Sequence, residues 1–142
     1  MAVDYVVDGS TGLKWLLDDE ADTQTARDIL AEILSGRARL IVPPHFVSEV
    51  GNGLLMAARR KRIDAHRITE AWADFLAIPR METSWHPHLG IRSFAVARES
   101  SLTYYDAAYL ALAAIHNAKL VTADVQASEA AKRMNLPVTV LR

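Results

Sequence analysis

The sequence predicts an α/β fold: a central, mainly parallel sheet of four to five strands with helices on both faces. Two observations carry this. Short apolar runs rich in β-branched residues alternate with segments of helical periodicity along the chain. Strands and helices that alternate in this way build parallel sheets, because each crossover between strands is a helix. At 142 residues the chain is expected to be a single domain, residues 1–142. A chain of that length buries roughly 70% of its unfolded surface, enough for a real core.

Residues 3–8 read as a short buried strand, and residues 10–17 as a helix. In 22–36, Ala26, Ile29, Leu30, Ile33 and Leu34 recur at helical spacing and Gly36 stops the run. Residues 38–43 form a second strand, ended by Pro43-Pro44, and a helical pattern then continues to Arg62. Further helices are predicted over 64–77, 87–99, 103–116 and 125–135. Further strands are predicted over 81–85, 118–124 and 137–141. There is no internal repeat, low-complexity segment or linker.

Composition narrows the chemistry. Sixteen Lys and Arg against seventeen Asp and Glu give a net charge of −1. No global basic field announces a nucleic acid, so an anionic partner has to be held by a local patch or a metal. The absence of cysteine removes disulfides, thiolate metal sites and a cysteine nucleophile. It also suits a reducing compartment. The N-terminus lacks the basic start and apolar stretch of a signal peptide. The longest apolar run, 107–115, falls short of the ~20 residues a membrane span needs. The expectation is a soluble cytoplasmic protein with no membrane association.

The informative residues are acids. In "VVDGSTGLKWLL", Asp8 ends the first strand, and Asp124 ends the strand "LVTAD". Ligands of open parallel sheets bind beyond the carboxyl ends of the strands. Both acids also suit helix N-caps, and Ser10 could cap as well as Asp8. Asp106 stands three residues after Thr103, as in a capping box with Asp in place of Glu. It opens a helix that is apolar almost all round, and a carboxylate at the mouth of a buried helix needs a partner. Glu49 stands in a helix beside Val47, Val50 and Leu54, with Asn52 three residues on and on the same face; alone it reads as solvated. Together the four could converge on one sheet edge. Four carboxylates in one cleft repel each other unless a divalent cation neutralises them. Oxygen ligands without Cys suit Mg²⁺ or Mn²⁺, and such a pocket suggests metal-assisted phosphoryl chemistry.

The pieces "VVDGS…LKWL", "P…EVGN", "LTYYDAAYLALA" and "LVTAD", in that order, resemble the PIN domain, and most of all the VapC-type toxin nucleases of bacterial toxin–antitoxin pairs. The resemblance spans essentially the whole chain. It implies a three-layer α/β/α sandwich and an endoribonuclease that uses one or two Mg²⁺ ions, with Mn²⁺ as the alternative. It assigns Asp8, Glu49, Asp106 and Asp124 to the acidic catalytic and metal-binding site. Ser10, Asn52 and Thr122 match polar positions that line it. It further implies an RNA substrate, a homodimer, and a small antitoxin whose chain covers the cleft. Two departures stand out. Gly9 replaces a small residue such as Ala or Thr, which should be harmless. His45 stands one turn before Glu49, where an apolar residue is expected.

The basic run "ARRKR" (Arg59, Arg60, Lys61, Arg62), with Arg67 nearby, is a candidate RNA approach. The plain alternative is a solvated helix end with cations favourably placed near its C-terminus. Arg37 and Arg39 form a smaller group. His86 and His88 read as a surface turn, and His45 as a helix-start residue near the cleft rim. Trp15, Trp72 and Trp85 are too dispersed for a base-stacking platform and read as core. Gly51 and Gly53 weaken their helix by roughly 1 kcal/mol each relative to Ala, which close packing against another helix or a second subunit would explain. Other Asp-based folds fit less well. A haloacid dehalogenase phosphatase needs a second Asp where Ser10 stands. A phosphate receiver needs an acidic pair, but Asp4 and Asp8 are split across the strand. A dinucleotide fold lacks its glycine-rich turn. Two functional alternatives remain: a housekeeping RNA-processing nuclease and a non-catalytic interaction module.

Overall fold

The computed structural model of the chain describes residues 2–18 and 23–141. In chain order the elements are β1 (Val3–Val7), α1 (Gly9–Lys14), α2 (Thr23–Leu34), β2 (Ala38–Val42), α3 (Phe46–Arg59), α4 (Ile68–Leu76), β3 (Met81–Glu82), α5 (Pro87–Ser100), α6 (Tyr104–His116), β4 (Lys119–Thr122), α7 (Val125–Arg133) and β5 (Val138–Val140). Every predicted element is present, most with shorter ends, although α1 begins one residue earlier than predicted, at Gly9, and α5 ends one later, at Ser100. The predicted start of the second helix, Asp22, lies outside the described residues.

All five strands pair in parallel, in the order β3-β2-β1-β4-β5. The order reverses at β1, which has β2 on one side and β4 on the other. Right-handed crossovers put the helices before and after such a reversal on opposite faces of the sheet. The result is the expected three-layer sandwich. Val6, Val7, Ile41, Val42, Leu120 and Val121 are fully buried at its centre. Helix α6 packs against β1 and β4, and the run from Ala107 to Ala113 is buried, as its nearly all-apolar sequence requires.

Local chemistry explains the shifted boundaries. The helix predicted over 64–77 begins only at Ile68. Before it, the Asp64 carboxylate accepts the His66 N–H at 3.0 Å, a side-chain turn that competes with helix. The strand predicted over 81–85 stops at Glu82. Next to it, the Thr83 hydroxyl and N–H both donate to the Val42 carbonyl. Trp85 corrects a prediction: it is 62% exposed rather than core. Trp15 and Trp72 do pack on the core, the latter stacked on Phe75.

Glycines set how closely α1 and α3 cross. A Cβ on Gly12 would lie 2.9 Å from a Val50 methyl, and one on Gly53 only 2.5 Å from Leu13 Cδ1. Gly51 is likewise closed in by the Trp72 ring. The helix-weakening glycines of α3 therefore serve close packing within this chain, against α1 and α4. The first turn of α3 meets the chain just after β1, where Glu49 lies against Gly9.

Candidate active site

The carboxyl ends of β1 and β4 flank the point where strand order reverses, and open α/β sheets bind ligands in that crevice. Asp8 follows β1 and caps α1 in extended backbone conformation, its Oδ1 accepting the Thr11 N–H at 3.1 Å. The cap reading is therefore correct, but it uses only part of the carboxylate's capacity. The hydroxyls of Ser10 and Thr11 also reach Oδ1, at 2.8 and 3.0 Å. The Thr122 hydroxyl donates to Oδ2. Asp8 is only 9% exposed, and burial pushes its pKa up although these four donors all pull it down. Its hydrogen bonds do not fully compensate its charge.

Thr122, the last residue of β4, is fully buried. While donating to Asp8 it accepts the N–H of Asp124 at 3.0 Å. Asp124 caps α7, its Oδ1 accepting the N–H groups of Gln126 (2.8 Å) and Ala127 (3.4 Å). Again the N-cap reading holds, and again the capped helix end faces the crevice.

Glu49 lies in the first turn of α3, pressed over Gly9. A Cβ at Gly9 would fall 2.7 Å from Glu49 Cδ and collide with Oε1. The missing side chain of Gly9 is the space that the carboxylate occupies, so this departure from the family pattern is tied to the site. The pKa of Glu49 is pushed up to about 7. Burial is the largest cause, followed by the negative charges of Asp106 and Asp8; the Tyr109 hydroxyl and Gly9 N–H oppose the rise. Glu49 is thus no ordinary solvated helix residue.

Asp106 sits in the first turn of α6, where its N–H donates to the Thr103 hydroxyl at 3.1 Å. That is the cap foreseen from the Thr103–Asp106 spacing, and it leaves the carboxylate itself free to act on Glu49, His45 and Tyr109. Asp8, Glu49 and Asp106 therefore share one field, while Asp124 is linked to Asp8 through its backbone N–H on the Thr122 hydroxyl, its carboxylate capping α7.

His45 belongs to this group too. Its Nε2 is 3.0 Å from the Tyr105 carbonyl, which can only accept, so that nitrogen carries the proton. The same atom lies 4.0 Å from Glu49 Oε2. Burial pushes the His45 pKa down, against the Tyr105 carbonyl and Asp106. The imidazole bridges the starts of α3 and α6, at the rim where the sequence placed it. Tyr109 is the residue that sequence reasoning missed: its hydroxyl is buried beside Glu49. The available signal was a tyrosine in an otherwise apolar buried helix, since a buried phenol needs a partner.

The remaining predicted residues sort clearly. Ser10 is exposed and holds Asp8. Asn52 is exposed one turn beyond Glu49 and, among the described residues, makes no hydrogen bond to the acids. Arg59, Arg60, Lys61 and Arg62 are exposed at the end of α3, the chain turning at Lys61 with φ 58°. Arg59 stands ten positions after Glu49, roughly 15 Å along the helix at 1.5 Å per residue. Arg39 is elsewhere: it pairs with both oxygens of Asp4, at 3.1 and 3.0 Å, near the amino ends of the strands. His86 caps α5 and accepts the Leu89 N–H at 3.2 Å, which fits a surface turn.

Among the described residues no three His, Asp or Glu side chains are arranged to hold a metal ion as they stand. The donor chemistry nevertheless fits a hard divalent cation. All the candidate ligands are carboxylate oxygens, and Mg²⁺ characteristically uses one or two carboxylates and keeps several waters. The raised pKa values of Asp8 and Glu49 mark a site short of positive charge.

A family model of the PIN domain matches residues 5–133, and the chain belongs to the PIN domain family. The chain is 33% identical over 139 residues to Ribonuclease VapC9 of Mycobacterium tuberculosis, covering 96% of this chain and 97% of that one. Among solved structures it is similar to PAE2754 from Pyrobaculum aerophilum, with a TM-score of 0.66 and 25% identity over 92% of this chain and 87% of the other. VapBC2 from Rickettsia felis, bound to a DNA fragment from their promoter, shares the fold at TM-score 0.67 and 14% identity, covering 99% of this chain and 100% of the other. Among the described residues no helix is long and apolar enough to cross a membrane.

Proposed function

We propose that this protein is a metal-dependent endoribonuclease of the VapC type, a hydrolase of RNA phosphodiester bonds that acts as the toxin of a toxin–antitoxin pair. The observation that carries the reading is the gathering of Asp8, Glu49 and Asp106 at the strand-order reversal, where burial first, and then the charges of Asp106 and Asp8, lift Glu49 to about 7. The likeness to a ribonuclease over nearly the full chain supports it.

In this reading Asp8, Asp106, Asp124 and Glu49 hold one or two Mg²⁺ or Mn²⁺ ions, directly or through water. A bound divalent ion activates water as a nucleophile and neutralises charge on the scissile phosphate. The chain's own residues prepare for this. Ser10, Thr11 and Thr122 fix both oxygens of Asp8, so it need not reorganise when a cation arrives. Thr122 sets Asp124 by its backbone. Gly9 lets Glu49 lie against the end of β1. Arg59, Arg60, Lys61 and Arg62 attract the RNA backbone roughly 15 Å from Glu49, to judge from the length of α3.

A small antitoxin covers the acidic cleft, and an Arg or Lys of its chain enters in place of the cation. A second copy of the protein covers the apolar face of α5, where Ile91 is 70% and Phe94 60% exposed beside Trp85 and Tyr104. Light scattering of the wild type and Phe94→Glu tests the homodimer. The test of the function is cleavage of a mixed pool of tRNA, rRNA and synthetic hairpins with Mg²⁺ or Mn²⁺, with EDTA, and with Asp8→Asn. Metal-dependent cuts at discrete sites that vanish with Asp8→Asn are expected. No cleavage of any RNA together with no metal binding contradicts the nuclease reading and favours an interaction module.

A further inference from the structure

We infer that Tyr109 is a positioning residue, its phenolic O–H being the donor that fixes the Glu49 carboxylate when the acidic site holds a divalent cation. The inference rests on the reading of Asp8, Glu49, Asp106 and Asp124 as an ion site, and it adds a residue to that site.

Three observations support it. First, Tyr109 is 1% exposed, yet among the described residues its oxygen has no partner at hydrogen-bonding geometry. A buried hydroxyl left in this way is unfavourable and calls for a reason. Second, the ring cannot swing elsewhere. The His45 ring meets it edge-on, with centroids 5.0 Å apart, and Phe46 does so at 6.5 Å. Third, the hydroxyl faces the site. Tyr109 stands one turn after Asp106 on α6, and the His45 ring that meets it has its Nε2 4.0 Å from Glu49 Oε2. Burial and the three surrounding carboxylates keep the phenol protonated, so it serves as a donor rather than a ligand.

Asp106 and Asp8 both act against the charge of Glu49. A cation held among the acids fixes the Glu49 carboxylate in place, where it is a charged acceptor for the waiting O–H. The hydroxyl therefore contributes little to the metal-free fold and more to the ion-loaded site.

The test is calorimetric titration with Mn²⁺ of the wild type, Tyr109→Phe, Glu49→Gln and the double variant, with melting temperatures in EDTA. Tyr109→Phe is expected to melt in EDTA at or slightly above the wild-type temperature, because the lost hydroxyl had no partner. It is expected to bind Mn²⁺ about tenfold more weakly, as outer residues of ion sites do when removed. In the Glu49→Gln background the same change should add nothing. Equal Mn²⁺ affinity of wild type and Tyr109→Phe overturns the inference, as does an undiminished effect in the Glu49→Gln background. Failure of the wild type itself to bind Mn²⁺ overturns the ion-site reading, and this inference with it.

Discussion

The hydroxyl of Thr122 donates to Oδ2 of Asp8 across the β1–β4 pair while accepting the backbone N–H of Asp124. One buried oxygen thus ties together two acids that are 116 residues apart in sequence, 124 minus 8. Replacing it with the isosteric Val leaves the Asp8 carboxylate and the Asp124 N–H each short of a partner. Thr122→Val should lower unfolding free energy by about 1–3 kcal/mol and weaken Mn²⁺ binding, whereas Thr122→Ser should keep most of both. Denaturant unfolding and metal titration of the two variants check this.

The raised pKa of Glu49 makes stability depend on pH. The folded protein holds that proton to about pH 7, the unfolded chain only to about 4.5. Between these values the folded state binds more protons than the unfolded one, so stability falls as pH rises. This contribution is fully present below pH 4.5 and gone above pH 7. In EDTA, the wild type should therefore lose melting temperature relative to Glu49→Gln across that window. A constant difference between the two across pH 4.5–7 would contradict the electrostatic account.

Gly9 separates site from fold. A Cβ there strikes the mobile end of the Glu49 side chain rather than backbone, and Ala is the better helix residue by about 1 kcal/mol. Gly9→Ala should melt at or slightly above the wild-type temperature while losing Mn²⁺ affinity and ribonuclease rate together. Unchanged metal binding would show that Glu49 needs no such room.

Gly53 is the converse case, concerned with fold alone. Its missing Cβ accommodates Leu13 at the α1–α3 crossing. Gly53→Leu should destabilise by about 1–3 kcal/mol through overpacking, despite the gain in helix propensity. An unchanged denaturation midpoint would refute the close-packing explanation.

The basic run at the end of α3 should act through phosphates rather than chemistry. Replacing Arg59, Arg60 and Lys61 by Gln should weaken RNA binding and flatten its dependence on salt by roughly one logarithmic unit per lost contact. Mn²⁺ affinity should not change. Filter binding across a salt series measures this.

Much of this architecture is legible in the sequence, because strand and helix periodicities here agree with local capping. Thr103, Asp8 and Asp124 each cap the helix they were read to cap. The placement of Asp8 and Asp124 at one edge also follows from topology alone, since a parallel sheet brings its strand ends together. What sequence could not reveal depends on side-chain contacts between distant elements. The Gly9–Glu49 contact joins α1 to α3, and nothing local distinguishes that glycine from a tolerated substitution. Tyr109 hides among apolar neighbours on α6, where its ring suits the core and only its oxygen belongs to the site. Arg39 looks like part of a basic group until the β1–β2 register sets it beside Asp4.

The central claim is that Asp8, Glu49, Asp106 and Asp124 form one divalent-cation site. Anomalous diffraction from crystals soaked in Mn²⁺ tests it most directly. The account predicts a peak beyond the carboxyl ends of β1 and β4, with Asp8 or Asp106 oxygens about 2.0–2.2 Å away or bridged by one water. A peak elsewhere, or none at saturating Mn²⁺, would contradict it.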